Sequence, residues 1–438
     1  VLQVNRSWLK GTKMNGENPA GRILDSLLFP KIFRSFRMSI QPSKLIIAFC
    51  MIAMTGLVGW LMDLSKTMIT TPGTNGAETE LNLFLTAPER LDSYIEKYAT
   101  TEHPRGVFST MWGFGISKFH GSLRAIFRFD LFGVLDNTVD FLHAIKWVIQ
   151  YHLIYCLIFA VINLSIASVG GGAICRIAAL QFSQNEKPGV IESLRFSIKR
   201  FTSFFGTPIV PMIIIAIASI CVVSIGLISN IPFGIGELGT GILMLPALAA
   251  GAIIAAVLLG VIGGLNLAFP AVAYDGSDGL DAISRSFNYV YAKPWRLGFY
   301  AVIAVIYGAI CYIFVRFFAF LLLWSTYRGL RLGAITQSAR GLPDKVAAIW
   351  SEPAFHRLLS YSQATGNWQE STAALLVYLS ALVIVGLVAS FIISFYFSSN
   401  TVIYALMRNQ VDETPLEQVY TEVEETKGQP AEVEQQPS

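Results

Sequence analysis

The chain has 438 residues, of which 53% are apolar and only 14% charged. Soluble domains carry about a quarter charged residues, so much of this surface faces something other than water, and a net charge of +3 is too small to imply a nucleic-acid partner. The cysteines Cys50, Cys156, Cys175, Cys221 and Cys311 lie in or beside apolar runs without close pairs. That spacing argues against a disulfide framework or a zinc site and reads as small buried hydrophobes.

Six stretches reach the roughly 20 mostly apolar residues needed to cross a bilayer: 45–62, 147–168, 209–228, 242–271, 297–323 and 373–397. The expected fold is an all-α polytopic transmembrane helix bundle of about six spans. Residues 1–44 form a basic leader, and the first apolar stretch begins too late for a cleavable signal, so it is expected to stay as an anchor. Residues 63–146 form an outer region in which Ile116, Phe119, Leu123 and Ile126 share one helical face. That face could lie on the membrane, bind a partner or cover a small core. With Trp112, Phe114, Phe127 and Phe129 nearby, membrane contact is the first expectation, and 131–142 is expected to extend the second span outward. Residues 147–324 hold a four-span core. Residues 325–372 form a second outer loop, helical around 347–360, before span 373–397. The acidic segment 398–438 is expected to be cytoplasmic and disordered from about Asp412.

Basic residues near span ends set the orientation. The leader is rich in Arg and Lys, including Arg34, Arg37 and Lys44. The connection after the second span carries Arg195, Lys199 and Arg200, and the one after the fourth carries Arg285, Lys293 and Arg296. With six spans these lie on one side, so both termini are expected in the cytoplasm. The loop 325–372 dissents, with Arg328, Arg331, Arg340, Lys345 and Arg357 on the outer side.

A threefold internal repeat is visible. Leu280, Ile283, Phe287 and Val290 fall at i, i+3, i+7 and i+10, as do Ile191, Leu194, Ile198 and Phe201. An acid follows the first apolar residue in each (Asp281, Glu192) and a serine precedes the third (Ser286, Ser197). In the leader, Phe29, Ile32 and Phe36 repeat the spacing, and Arg34-Ser35-Phe36 matches Arg285-Ser286-Phe287. Pro42 and Pro294 then precede spans, while Pro208 is offset by about a turn. The expected unit is an interfacial amphipathic helix followed by two spans, with its apolar face in the acyl boundary and a proline redirecting the chain. Arg34, Arg37, Lys44, Arg195, Lys199, Arg200, Arg285, Lys293 and Arg296 are then candidate lipid-headgroup contacts.

The run DAISRSFNYVYAKPWRLGFY, from Asp281 to Tyr300, loosely resembles an element of uncharacterised bacterial multi-span proteins, including those similar to the membrane domain of glycerophosphodiester phosphodiesterases. The resemblance covers about 150–330 and implies a membrane domain. There is no room for the catalytic barrel with its acidic metal ligands, so it implies no enzymatic activity.

Candidate chemistry is sparse. The run from Asp275 to Asp281 superficially resembles a calcium loop, but Ser286 stands where the bidentate Glu is needed, and a helix N-cap at Ser277 or Asp278 explains it better. His103, His120, His143, His152 and His356 lack ligand spacing. Arg176 and Arg316 are expected to snorkel at span ends, Asn163 and Asn266 to join helices, and the Gly260–Gly264 pair to permit close packing. No cofactor or metal is expected. The leading functional expectation is a non-enzymatic scaffold or assembly component, with a membrane-protein partner or a second copy of the chain. Transport of a lipid or other apolar solute comes next, then lipid sensing.

Overall fold

The computed structural model describes residues 29–65, 70–73, 76–98, 106–232, 234–338, 345–359 and 367–420. The described chain is helical apart from one two-stranded ribbon, β1 (Thr70–Gly73) and β2 (Gly76–Thr79). After a 3₁₀ turn (Phe29–Phe33) come α1 (Arg34–Ser39) and α2 (Pro42–Asp63). The ribbon leads to α3 (Glu80–Thr86), α4 (Leu91–Tyr98), α5 (Val107–Phe127) and α6 (Leu131–Tyr151). Then follow α7 (Leu153–Ser183), α8 (Val190–Lys199), α9 (Phe201–Ile228), α10 (Ile235–Ile242) and α11 (Met244–Asp275). The last are α12 (Gly279–Ala292), α13 (Pro294–Ser338), α14 (Lys345–Ile349) and α15 (Trp368–Val411).

Six of these, α2, α7, α9, α11, α13 and α15, are long and apolar enough to cross a membrane, as a multi-pass membrane protein requires. The end of the bundle where α2 starts and α15 finishes is the near end; α3 to α6 lie at the far end. α13 and α15 have 45 and 44 residues, about 66 Å each at 1.5 Å per residue. They therefore exceed the roughly 30 Å hydrocarbon core and must project beyond it.

The second long helix begins at Leu153 rather than at 147. Trp147 is fully buried in a far-end cluster with Leu81, Leu91, Tyr94, Val107 and Ala144, and the chain breaks at His152 (φ −131°, ψ 45°). Trp147 and its apolar neighbours therefore build a small core of their own. Residues 131–142 likewise belong to a separate helix, started by Asp130, whose Oδ1 accepts from Gly133 N at 2.9 Å.

α7, α11 and α15 pack against one another at the centre. Tyr396 donates to Asn266 Oδ1 at 2.5 Å, Phe397 stacks on Phe269 with centroids 6.0 Å apart, and Arg176 donates to Ala273 O at 3.0 Å. Each remaining long helix packs beside two of these three: α2 against α7 and α15, α9 against α11 and α7, α13 against α15 and α11. Asn163 joins helices as expected, accepting from Thr55 at 2.8 Å.

The short near-end helices fold back on the long ones. Ser286 passes Gly264, Phe287 covers Gly260, Val290 meets Gly263, and Tyr291 donates to Ala256 O at 2.5 Å. Rising numbers on α12 thus meet falling numbers on α11. On α8, Ser197 donates to Ser168 O at 3.3 Å and Phe196 lies under Arg176, 4.5 Å from its ring centroid. On α1, Ser39 O accepts from Ser394 at 2.7 Å and Phe36 meets Phe391 edge-on. The face each helix buries is its serine face: Ser35, Ser39, Ser193, Ser197 and Ser286 are buried. The expected apolar stripe instead straddles the protein edge, with Leu280, Ile191 and Ile198 exposed and Ile283 buried. Small serines let the backbones approach closely, and Met38, Phe196, Ile283 and Tyr289 are buried beside them. Prolines start α2 and α13, but Pro208 lies inside α9, so the expected proline boundary is absent there.

A side chain at Gly260 would place Cβ 2.6 Å from the Phe287 ring, whereas Gly251 has open space. Gly260→Leu should cost about 1–3 kcal/mol by overpacking and lower the detergent melting temperature, while Gly251→Leu leaves it unchanged.

Candidate functional site

The bundle's polar groups converge at the near end around Asp275, the last residue of α11. Its carboxylate is almost buried. Oδ1 faces Arg408 Nε at 3.1 Å, Oδ2 accepts from the Tyr404 hydroxyl, and Arg285 Nη1 approaches Oδ2 at 3.5 Å. Arg285 is held in its charged form first by a 2.9 Å bond to Asp281 Oδ2. Gly276 then takes the left-handed conformation (φ 64°) that closes α11, a position suited to glycine. Asp278 caps α12, accepting from Asp281 N at 2.8 Å, so this run is a helix boundary as expected.

A strap formed by residues 412–420 crosses this end. Tyr289 donates to Asp412 Oδ2 at 2.5 Å, and Arg408 Nη1 donates to Gln418 O at 2.6 Å. Tyr274 donates to Leu416 O, Tyr420 N donates back to Tyr274 O at 2.9 Å, and Val419 is buried in the main core. Burial, and then the Asp412 carboxylate, raise the Tyr289 hydroxyl above its ordinary value of 10, so it stays a donor at neutral pH. The expectation of disorder from Asp412 is therefore corrected for 412–420: these residues are paired to α11, α12 and α15. Residues 421–438 lie outside the described residues.

The nine candidate headgroup contacts divide into three groups. Arg34, Arg37, Arg195 and Lys199 are exposed. Arg200, Arg285, Lys293 and Arg296 turn inward instead. Arg200 donates to Gly276 O and lies over the Tyr420 ring, while Lys293 and Arg296 both bond Gln410. Lys44 is fully buried, its Nζ donating to Gln181 Oε1 at 2.9 Å and Ser398 Oγ at 3.4 Å. It cannot reach headgroups, because the first turn of α2 is enclosed by α7 and α15. Arg176 is also buried rather than snorkelling.

A second polar cluster ties the far end. His120 on α5 receives Arg316 Nη1 at 2.7 Å, and Arg316 also donates to Tyr312 at 2.9 Å and to Phe355 O and His356 O. Burial, then Arg316 and Arg124, hold His120 below the ordinary histidine value of 6.5. Sequence spacing gave no hint of this, since 196 residues separate the ring from its arginine. At the other end of α5, Asp63 accepts from Phe108 N at 2.8 Å and Ser109 N at 2.9 Å. Phe119 meets Tyr312 edge-on and Leu123 packs near it. The face expected to touch lipid is thus partly spent on α13.

All five cysteines are free thiols, with Cys50 and Cys221 exposed. Among the described residues, no group of three or more His, Cys, Asp or Glu side chains is arranged to hold a metal ion. No protein-family model, curated protein or solved structure matches the chain.

Removing one partner of a buried ion pair leaves an uncompensated charge, at about 3–5 kcal/mol. Asp275→Asn should therefore lower the melting temperature sharply and expose the C-terminal strap to limited proteolysis, with Arg408→Gln giving the same pattern. The His120 ring accepts from Arg316 only when neutral. Because its folded pKa is depressed, this contribution is full above pH 6.5 and lost as pH falls through the folded value. Thermal unfolding at falling pH should show a loss in the natural protein that His120→Gln, a non-titrating acceptor, lacks.

Proposed function

We propose that this chain is a non-enzymatic scaffold of a bacterial inner membrane, with both termini cytoplasmic and the near end facing the cytoplasm. The carrying observation is where its charges go. Asp275, Arg176, Arg200, Arg285, Lys293, Arg296 and Arg408 are spent on bonds between chain segments. They tie α7, α11, α12, α13, α15 and the strap into one frame. Such a frame holds its outer helices at fixed spacing, which suits presenting surfaces to a membrane partner or a second copy.

The cyclic contacts among the long helices, and the fold-back of α1, α8 and α12, support reading the chain as three repeats of one short helix and two spans. Arg34, Arg37, Arg195 and Lys199 are exposed on these short helices and remain the candidates for headgroup contact.

A second reading, passage of a lipid or apolar solute, is favoured by one feature. The named bonds among α7, α11 and α15 involve residues in their near-end portions. Toward the far end, Ile154, Leu157, Leu245, Leu248 and Ile253 are exposed, an apolar surface open to the bilayer.

Gentle extraction of the tagged protein from its native membrane, followed by mass spectrometry, separates the two. The scaffold reading expects a stoichiometric protein partner or a stable homo-oligomer. A monomer carrying one enriched lipid class would overturn it in favour of lipid passage.

A further inference from the structure

The turn joining α5 to α6 carries an aromatic residue in a backbone conformation that penalises it. Phe129 has φ 55°, the left-handed region where a non-glycine residue is strained, yet its side chain is 91% exposed. The turn is well built around it. Phe129 N donates to Ile126 O at 3.1 Å, Asp130 N donates to Ala125 O at 3.0 Å, and Asp130 caps α6. These bonds close α5 at the left-handed residue just past its end, a place usually held by glycine. A phenylalanine there, strained and with a ring that packs on nothing in the chain's interior, points to a role for the side chain outside the fold.

The surroundings give that role a chemistry. Leu131 and Phe132 are 76% and 80% exposed beside Phe129, with Phe127 and Leu135 exposed on the same tip. Arg124 and Arg128 are exposed on the preceding turn, while the nearest acid, Asp130, is occupied with capping. Aromatic and aliphatic tips flanked by arginines match the boundary between acyl chains and anionic headgroups. The position fits as well. α5 starts on Asp63, which ends the 22-residue α2, and is bound midway by Arg316, the midpoint of the 45-residue α13. Both lie about 33 Å along their helices from the near end, roughly one hydrocarbon thickness.

We propose that this turn is a membrane anchor: Phe129, Leu131 and Phe132 insert into the leaflet at the far end, with Arg124 and Arg128 among its anionic headgroups. The occupant is the bilayer surface itself. The inference rests on the membrane reading of the six long helices and is independent of whether the protein is a scaffold or a conduit.

The test uses the full chain in nanodiscs of phosphatidylcholine with phosphatidylglycerol. In a background with Cys50, Cys156 and Cys221 replaced by alanine, Leu131→Cys carries an NBD fluorophore, and a separate preparation carries it on native Cys221 as a membrane control. The expected result is severalfold stronger quenching of the Leu131→Cys label by doxyl lipids than by aqueous iodide. That preference should weaken in the Arg124→Gln, Arg128→Gln double variant. Preferential quenching by iodide would place the turn in water, and resistance to both quenchers would place it against protein; either overturns the anchor. Doxyl quenching at Cys221 alone would leave the membrane reading standing while the anchor fails. Phe129→Gly, which relieves the left-handed strain, should leave the melting temperature in detergent unchanged or raised; a clear fall would mean that Phe129 serves the fold and would also overturn the proposal.

Discussion

A carboxylate sealed from water must find its counter-charge within the protein, and at the near end that requirement falls on Asp275. Its solution draws in Arg408 from α15, Arg285 from α12 and the Tyr404 hydroxyl. Burial makes this costly, since each ion loses several kcal/mol of hydration that only good geometry recovers. The geometry in turn demands that the ends of α11 and α15 and the first half of α12 meet at one place. The strap from Asp412 to Tyr420 completes the arrangement by bonding Arg408 and Tyr274 from outside.

The second constraint is contact distance. Apolar helices in lipid gain nothing from hydrophobicity against each other, so they associate where small residues let backbones approach. Gly172, Gly260, Gly263 and Gly264 make the room, and Phe204, Phe287, Val290 and Ser286 occupy it. The short helices become ribs of the frame through their serines, while several of their bulky apolar residues remain at its edge. The far end follows different rules. There Trp147, Leu81 and Leu91 make a small core of their own, and the long α5–α6 hairpin is pinned at Asp63 and Arg316.

Much of the outline was legible from one-dimensional patterns. Long apolar runs revealed the six long helices, and the i, i+3, i+7 spacing revealed the short helices before them. Asn163 as a helix-joining group and Asp278 as a cap were also readable, because each depends on neighbours a turn away or on the rarity of polar groups in apolar runs. The nine basic residues were found from their place beside apolar runs, but that place does not tell the exposed ones, such as Arg34 and Arg195, from those bonded within the chain, such as Arg200 and Lys293. A lysine at the start of an apolar helix looks the same whether it meets a headgroup or, like Lys44, is enclosed by Gln181 and Ser398.

By itself, then, the sequence determined the class, the number of long apolar helices and where their basic flanks lie, because hydropathy and charge are properties of local composition. Only the tertiary structure decided which charges are spent inside: the pairing of Asp275 with Arg408, of His120 with Arg316, and the folding of residues 412–420 back over the bundle. Those partners are far apart along the chain or turned toward one another by packing, and no periodicity records which helix stands next to which.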